Sequence, residues 1–384
     1  MKPSLRTVLG QPSWRLATNE VELFVTQAGG HVGPVTFDRP GRALQPLAVA
    51  PWAEEELPAD LPTILRALRG DFFCLPFGGN ATAFEDEHHP IHGETANANW
   101  NLESVEQGGG RSTMHLSLKT RVRRGQVDKF ITLVDGHNAV YSRHRITGMK
   151  GPMAVGHHAM LRFPDRPGSG VVSTSPFTLG RVFPEPTEKP EQRGYSCLKP
   201  GAEFTTLQEV PTATGELTDL SRFPARRGFE DIVMLVSEAD VPFAWTAVSF
   251  PRERYLWLAL KDPRVLRSTV FWLSNGGRHY PPWNGRHVGV MGLEEVTAYY
   301  HCGLAESARI NELSEMGHAT SVTLHPERPL EVSYIMAVAS TPLGFDRVAS
   351  VESNLQGADG VVVRCASGKT VEIPLQLDFL RGGR

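Results

Sequence analysis

The sequence is poor in charge: Asp, Glu, Lys and Arg make up 21% of its 384 residues, with 39 basic against 42 acidic side chains and a formal net charge of −3. Without a basic excess, a dedicated nucleic-acid binder is not expected, because phosphate neutralisation needs clustered Lys and Arg. No run approaches the ~20 consecutive apolar residues that cross a bilayer as a helix, so no membrane partner is expected either. The opening MKPSLRTVLGQPSWRL has no apolar core followed by a small-residue cleavage site, and it does not read as a secretory signal. Cysteine is scarce, with Cys74, Cys197, Cys302 and Cys365 far apart and no CxxC pair. That spacing excludes a disulfide framework or a zinc knuckle and suits reduced thiols of a cytoplasmic protein. Chain breakers, by contrast, are plentiful, at 37 glycines and 29 prolines beside 40% hydrophobic residues. The chain is too apolar for disorder and too often interrupted for long helices, which leaves a loop-rich, mainly β protein.

Period-two alternation supports this. From Met114 to Val122, Leu116, Leu118, Thr120 and Val122 share one face, with Ser117, Lys119 and Arg121 opposite. From Val332 to Val338 both faces are apolar, which predicts a strand buried on both sides. Gly108-Gly109-Gly110, Asp135-Gly136 and Ser367-Gly368 read as turns. One short helix is predicted over Asp60 to Leu68, capped by Asp60 and stopped by Gly70, and a second near Ala305. Pro164 to Pro200 and Gly276 to Gly289 are long irregular segments of the kind that wall binding sites on β scaffolds. Length alone suggests two or three domains, but no repeat, charge block or linker divides the chain. A single domain over residues 1–384 is therefore expected.

Four segments place polar groups among apolar ones. In Leu68-Arg69-Gly70 to Phe77-Gly78, Arg69 offers a guanidinium fork that can hold sugar hydroxyls, a carboxylate or a phosphate, or can be an ordinary surface arginine. His88-His89-Pro90-Ile91-His92-Gly93-Glu94 invites a metal reading. However, residues three apart on a strand face opposite ways, so a shared ion would require a turn there. In Gly156 to Pro164, Val155, His157, Ala159, Leu161 and Phe163 share the core face. His157 then reads as a buried structural histidine, while His158 shares the more polar face with Arg162. In Val288 to Val296 a carboxylate pair ends an apolar strand, so one of Glu294 and Glu295 faces inward. Burial would raise its pKa toward the range of a general base.

In this order and at these intervals the four segments resemble the aldose 1-epimerase (galactose mutarotase-like) superfamily. Arg69-Gly70 to Phe77-Gly78 resembles the entry motif of its hexose-6-phosphate mutarotase branch. His92-Gly93 with Trp100 matches the family's His-Gly motif and its spacing to tryptophan. Gly156 to Pro164 resembles the strand bearing Gly-Trp-His-Pro-Tyr-Phe, and Gly292-Leu293-Glu294 resembles the late Ile-Glu-Pro motif. The resemblance covers about Val21 to Ser340. It implies a mainly β fold, a large antiparallel β-sandwich, and an isomerase that interconverts sugar anomers with a small-molecule sugar as substrate and no cofactor. It implies Glu294 as base, His158 as acid, and His92 and Arg69 as groups that hold the sugar. Asp231, in Gly228-Phe229-Glu230-Asp231, is the nominee for the family's middle aspartate. Trp100 reads as packing. Trp272, Asn275, Arg278, His279 and Trp283, which precede Glu294, are expected to line the sugar mouth.

The chain departs from the family where the phosphosugar branch carries an arginine, here Ala96, which counts against a phosphorylated substrate. It departs again at Ala159 and Glu295, which stand where much of the family has proline. Two other function classes fit parts of the sequence. One is a carbohydrate-binding β-sandwich without turnover, since fold alone does not dictate function. The other is a metal-dependent β-barrel enzyme built on His88, His89, His92 and Glu94.

Overall fold

The computed structural model describes residues 4–354 and 359–382. Their architecture is mainly β and antiparallel. The chain divides into two compact units, each assembled from three stretches: Met1–Ala159, Arg264–Arg267 and Glu295–Ile335 form the first, and Met160–Pro263, Ser268–Glu294 and Met336–Arg384 the second. Each unit therefore contains residues far apart in sequence, which is why no linker is visible.

In the first unit, Arg6–Val8, Gln11–Ala17, Glu22–Thr26 and Val32–Thr36 make a four-stranded antiparallel sheet. Asn101–Gly108, Arg111–Thr120, Gly125–Val134 and Ala139–Thr147 form a meander. Alternation shapes the second of these strands. Ser112, Met114, Leu116, Leu118 and Thr120 are buried, while the residues between them are half-buried or, at Lys119, exposed. The strand predicted over Met114 to Val122 thus starts three residues earlier and stops at Thr120. The turns at Gly109-Gly110 and Asp135-Gly136 lie between strands as expected, with Gly109, Gly110 and Gly136 at positive φ.

In the second unit, Phe177–Val182, Phe229–Ser237 and Ser268–Asn275 pair antiparallel in that order. Gly170–Thr174, Ala244–Phe250 and Tyr255–Lys261 do likewise. A last meander joins Val348–Ser353, Gly360–Cys365 and Thr370–Pro374, with the Ser367-Gly368 turn in its second bend.

Leu330–Ser340 is buried without interruption from Val332 to Val338, as its two apolar faces predict. Val290–Thr297 is buried at every position, so Glu294 and Glu295 are both inside, at 0% and 1% exposure, and the strand end is not solvated on either face.

Helix is confined to short pieces. The helix predicted over Asp60 to Leu68 shrinks to Thr63–Arg66, with Pro62 rather than Asp60 at its N-terminal boundary and no side-chain cap. Proline fixes φ and suits the flank of a first turn, so the start moves past it. The helix expected near Ala305 is Leu304–Ala308.

Candidate functional site

The first unit gathers His92, His158 and His301. The ring of His92 lies edge-on to His158 at 5.0 Å and to His301 at 5.6 Å, and His158 and His301 are 5.8 Å apart. Phe72 stacks with His158 at 4.5 Å and with His31 at 4.3 Å, while Phe77 meets the edges of His92 and His301. His92 and His158 are 7% and 3% exposed; His301 is half-buried. Loss of solvent holds the pKa of His92 and of His158 well below the ordinary imidazole value, with His301 adding to the effect on both and His92 to that on His158. Both rings are therefore neutral at neutral pH.

Local backbone geometry aims His92. It occupies the left-handed region at φ 56°, followed by Gly93 at φ 76°. A Cβ on Gly93 would lie 1.9 Å from the Leu75 carbonyl oxygen, so the second residue of the His-Gly pair has to be glycine. The His92 N–H donates to the Gly78 carbonyl (2.7 Å), and the Gly78 N–H donates back to His92 Nδ1 (3.3 Å). An Nδ1 that accepts leaves the proton on Nε2, where the ring can donate. Asn80 braces the same loops. Its Nδ2 donates to the Gly78 and Pro90 carbonyls, and its Oδ1 accepts from the Leu304 N–H.

Other residues singled out from the sequence go elsewhere. The guanidinium of Arg69, expected to hold substrate, is fully buried and donates to the carbonyls of Val8, Leu9 and Ala67 at 2.8, 2.8 and 3.1 Å. It ties the entry segment to the first hairpin, a partner some 60 residues away that no local pattern reveals. His157 is buried against Asp71 (Nδ1 to Oδ2 2.8 Å) and stacks on Tyr334. The cluster considered for a metal separates: His89 faces Glu87, Glu94 accepts from the main-chain N–H groups of Arg121 and Val122, and His92 joins the histidine group above. Trp100 is fully buried, with its Nε1 donating to the Thr95 carbonyl.

The second unit builds a carboxylate cluster. Glu230, fully buried, accepts from Trp272 Nε1 (2.9 Å), the Ser274 hydroxyl (2.9 Å) and the Gly277 N–H (3.2 Å). Burial pushes its pKa up to about 7 despite the nearby Arg278. Arg278 donates from Nε to Glu188 (2.6 Å), and its guanidinium lies over the rings of Trp283 at 4.6 Å and Trp272 at 5.3 Å. His287 stacks on Trp272 and shares a 2.6 Å hydrogen bond with the Ser274 hydroxyl. Glu294 is completely buried; desolvation raises its pKa well above the ordinary carboxylate value, with Arg278 pulling the other way. The two irregular segments foreseen as walls meet here, with the Tyr195 N–H donating to the Gly277 carbonyl and the His279 N–H to that of Arg193.

Asp231, nominated from the sequence, faces away from this cluster. Its carboxylate accepts from the N–H groups of Cys197 and Leu198 and from the Cys197 thiol, clamping the 197–198 turn. Successive strand residues point to opposite faces, and it is Glu230 that enters the polar cluster. Of the residues expected at a sugar mouth, Trp272, Trp283 and Asn275 are 3%, 4% and 3% exposed, so they support the cluster from within rather than rim it. His301, Glu230 and Glu188 were missed. Glu230 could have been found from its position in the strand beside Asp231; His301 and Glu188 lie in loops without a periodic signal.

No protein-family model matches the chain, and no curated protein sequence matches it. Solved structures do. A galactose mutarotase-like protein from Clostridium acetobutylicum aligns with 88% of this chain and 98% of its own at a TM-score of 0.61 and 12% identity. A protein described as a candidate aldose 1-epimerase from Escherichia coli K12 aligns over 86% and 100% (TM-score 0.56, 13% identity). A galactose mutarotase related enzyme from Lactobacillus acidophilus aligns over 86% and 98% (TM-score 0.54, 11% identity). At such identities the likeness is one of fold, and the chain has the galactose mutarotase-like β-sandwich fold.

Proposed function

We propose that the protein is an aldose 1-epimerase-like isomerase that interconverts the anomers of a sugar, with Glu294 and His158 as its base and acid. The observation that carries this reading is that each unit buries one group of the required kind: His158 lies in the histidine group with His92 and His301, and Glu294 is a carboxyl group at 0% exposure whose pKa burial raises. The fold shared with mutarotase-like proteins, at low identity, supports the same substrate class.

The chemistry suits these groups. Glu294, as a carboxylate, takes the proton from the C1 hydroxyl while His158, protonated for this step, delivers one to the ring oxygen. The ring opens, C1 rotates, and closure reverses both transfers to give the other anomer. The two residues must exchange roles between opening and closing, which is easiest when their pKa values are similar. Burial raises that of Glu294 and lowers that of His158. His92, with its proton on Nε2, donates to a sugar hydroxyl in this reading. No redox step occurs, and no metal is required.

The test is anomer exchange followed by NMR over a panel of free sugars, comparing wild type with Glu294→Gln and His158→Ala. Acceleration above the spontaneous rate that falls by roughly 10²–10⁴ in each variant supports the proposal. A wild type that binds sugar without acceleration would point to a carbohydrate-binding module instead.

A further inference from the structure

We infer that His301 is a further substrate-contacting residue, holding a sugar hydroxyl at the open edge of the histidine group; this deepens the proposed reading and rests on it. His301 was not marked by any motif. Yet its ring contacts His92, His158 and Phe77, the first two of which are assigned to the sugar and the acid step. It is the half-exposed member of the three, so a ligand arriving from solvent meets it first. An imidazole that both donates and accepts matches a hydroxyl, which does the same.

The backbone around His301 is held as a binding residue requires. Tyr300, completely buried, sits at φ 46°, a conformation uncommon for a bulky residue that persists where the surroundings over-determine it and that concentrates at ligand-binding sites. Those surroundings are visible. The Gly79 N–H donates to the His301 carbonyl (2.6 Å), the Asn80 N–H to that of Cys302 (2.9 Å), and the Leu304 N–H to Asn80 Oδ1 (2.9 Å). Gly78 and Gly303 approach so closely that a Cβ on Gly78 would lie 2.6 Å from the Gly303 nitrogen. The loop that fixes His301 is therefore the same loop that fixes His92 through Gly78, and one brace sets both rings.

The experiment compares wild type, His301→Ala and His301→Gln on glucose, galactose and mannose and on the monodeoxy derivatives of the best substrate, after circular dichroism and urea midpoints confirm intact folds. His301→Ala is expected to raise KM about tenfold, the worth of one hydrogen bond, with kcat changed less than threefold. His301→Gln is expected to restore part of the loss. For one deoxy derivative, wild type and His301→Ala should have equal kcat/KM, because the partner hydroxyl is already gone. A loss of the same size for every derivative, or no loss for any, overturns the inference. If wild type binds sugars but accelerates none, the catalytic reading has failed, and the same comparison of dissociation constants by titration NMR decides His301 by itself. If wild type neither binds nor accelerates any sugar, both fall.

Discussion

Gly292 gives the sharpest control over the proposed base. It lies two residues before Glu294 on Val290–Thr297, so both side-chain positions are on one face of the strand. A Cβ added there would sit 2.3 Å from Glu294 Oε1 and 3.1 Å from Trp272 Cβ. Carbon and oxygen settle about 3.3 Å apart, so in Gly292→Ala the carboxylate must retreat by about 1 Å. Trp272 cannot yield easily, because its Nε1 is bonded to the buried Glu230. Overpacking of this kind costs about 1–3 kcal/mol, and misplacing a catalytic group by 1 Å costs about 10²-fold in rate. Gly292→Ala is therefore expected to lower kcat for anomer exchange about a hundredfold while the protein stays folded at 25 °C. Polarimetry or exchange NMR gives the rate and urea denaturation the stability. A destabilised variant with the wild-type rate would remove Glu294 from the chemistry. A variant unchanged in both would show that the carboxylate does not lie over Gly292.

Arg69→Lys should lower stability by about 2–3 kcal/mol in urea denaturation, since a lysine cannot reproduce three main-chain hydrogen bonds from a fixed fork; a raised KM without that loss would return Arg69 to the substrate. Glu230 has a folded pKa of about 7 against an ordinary 4.5, so the folded state binds its proton more tightly and stability declines as pH rises from about 4.5 to about 7, by on the order of 3 kcal/mol. In Glu230→Gln this part of the decline should vanish, and parallel stability–pH curves for the two proteins would refute the assignment.

Strands were legible because alternation is local: Met114 to Thr120 and Val332 to Val338 show their buried faces within a few residues. Contacts across strands were not. Arg69 reads as a free guanidinium until its chain partners at Val8 and Leu9 are known. Likewise, alternation shows that Glu230 and Asp231 face opposite ways but not which face carries Trp272 and Ser274, more than 40 residues further on. Asp231 was nominated without that register. His158 could be preferred over His157 because the apolar face of its strand was visible in sequence, while the partner that occupies His157, Asp71, was not. Helix ends were misplaced for a local reason, since the proline at 62 outweighs the capping tendency of Asp60.

The charges on these elements bear on the kind of sugar the proposed reaction would take. Among the described residues the buried cations are Arg69, Arg123, Lys129 and Lys261. Arg69 is spent on carbonyls, Arg123 on Glu87, Lys129 on the Gly30 carbonyl and the face of Trp100, and Lys261 on Ser268 and Thr269. The half-buried Arg278 is matched by Glu188, with Glu230 nearby. The histidines assigned to the sugar are held neutral by burial, and Glu230 is drawn toward its neutral form by the same cause. Groups so arranged carry protons without carrying net charge. They suit a proposed substrate rich in hydroxyls, and Ala96, which stands where the resemblance would put the phosphosugar branch's arginine, supplies no guanidinium for a phosphate at that position.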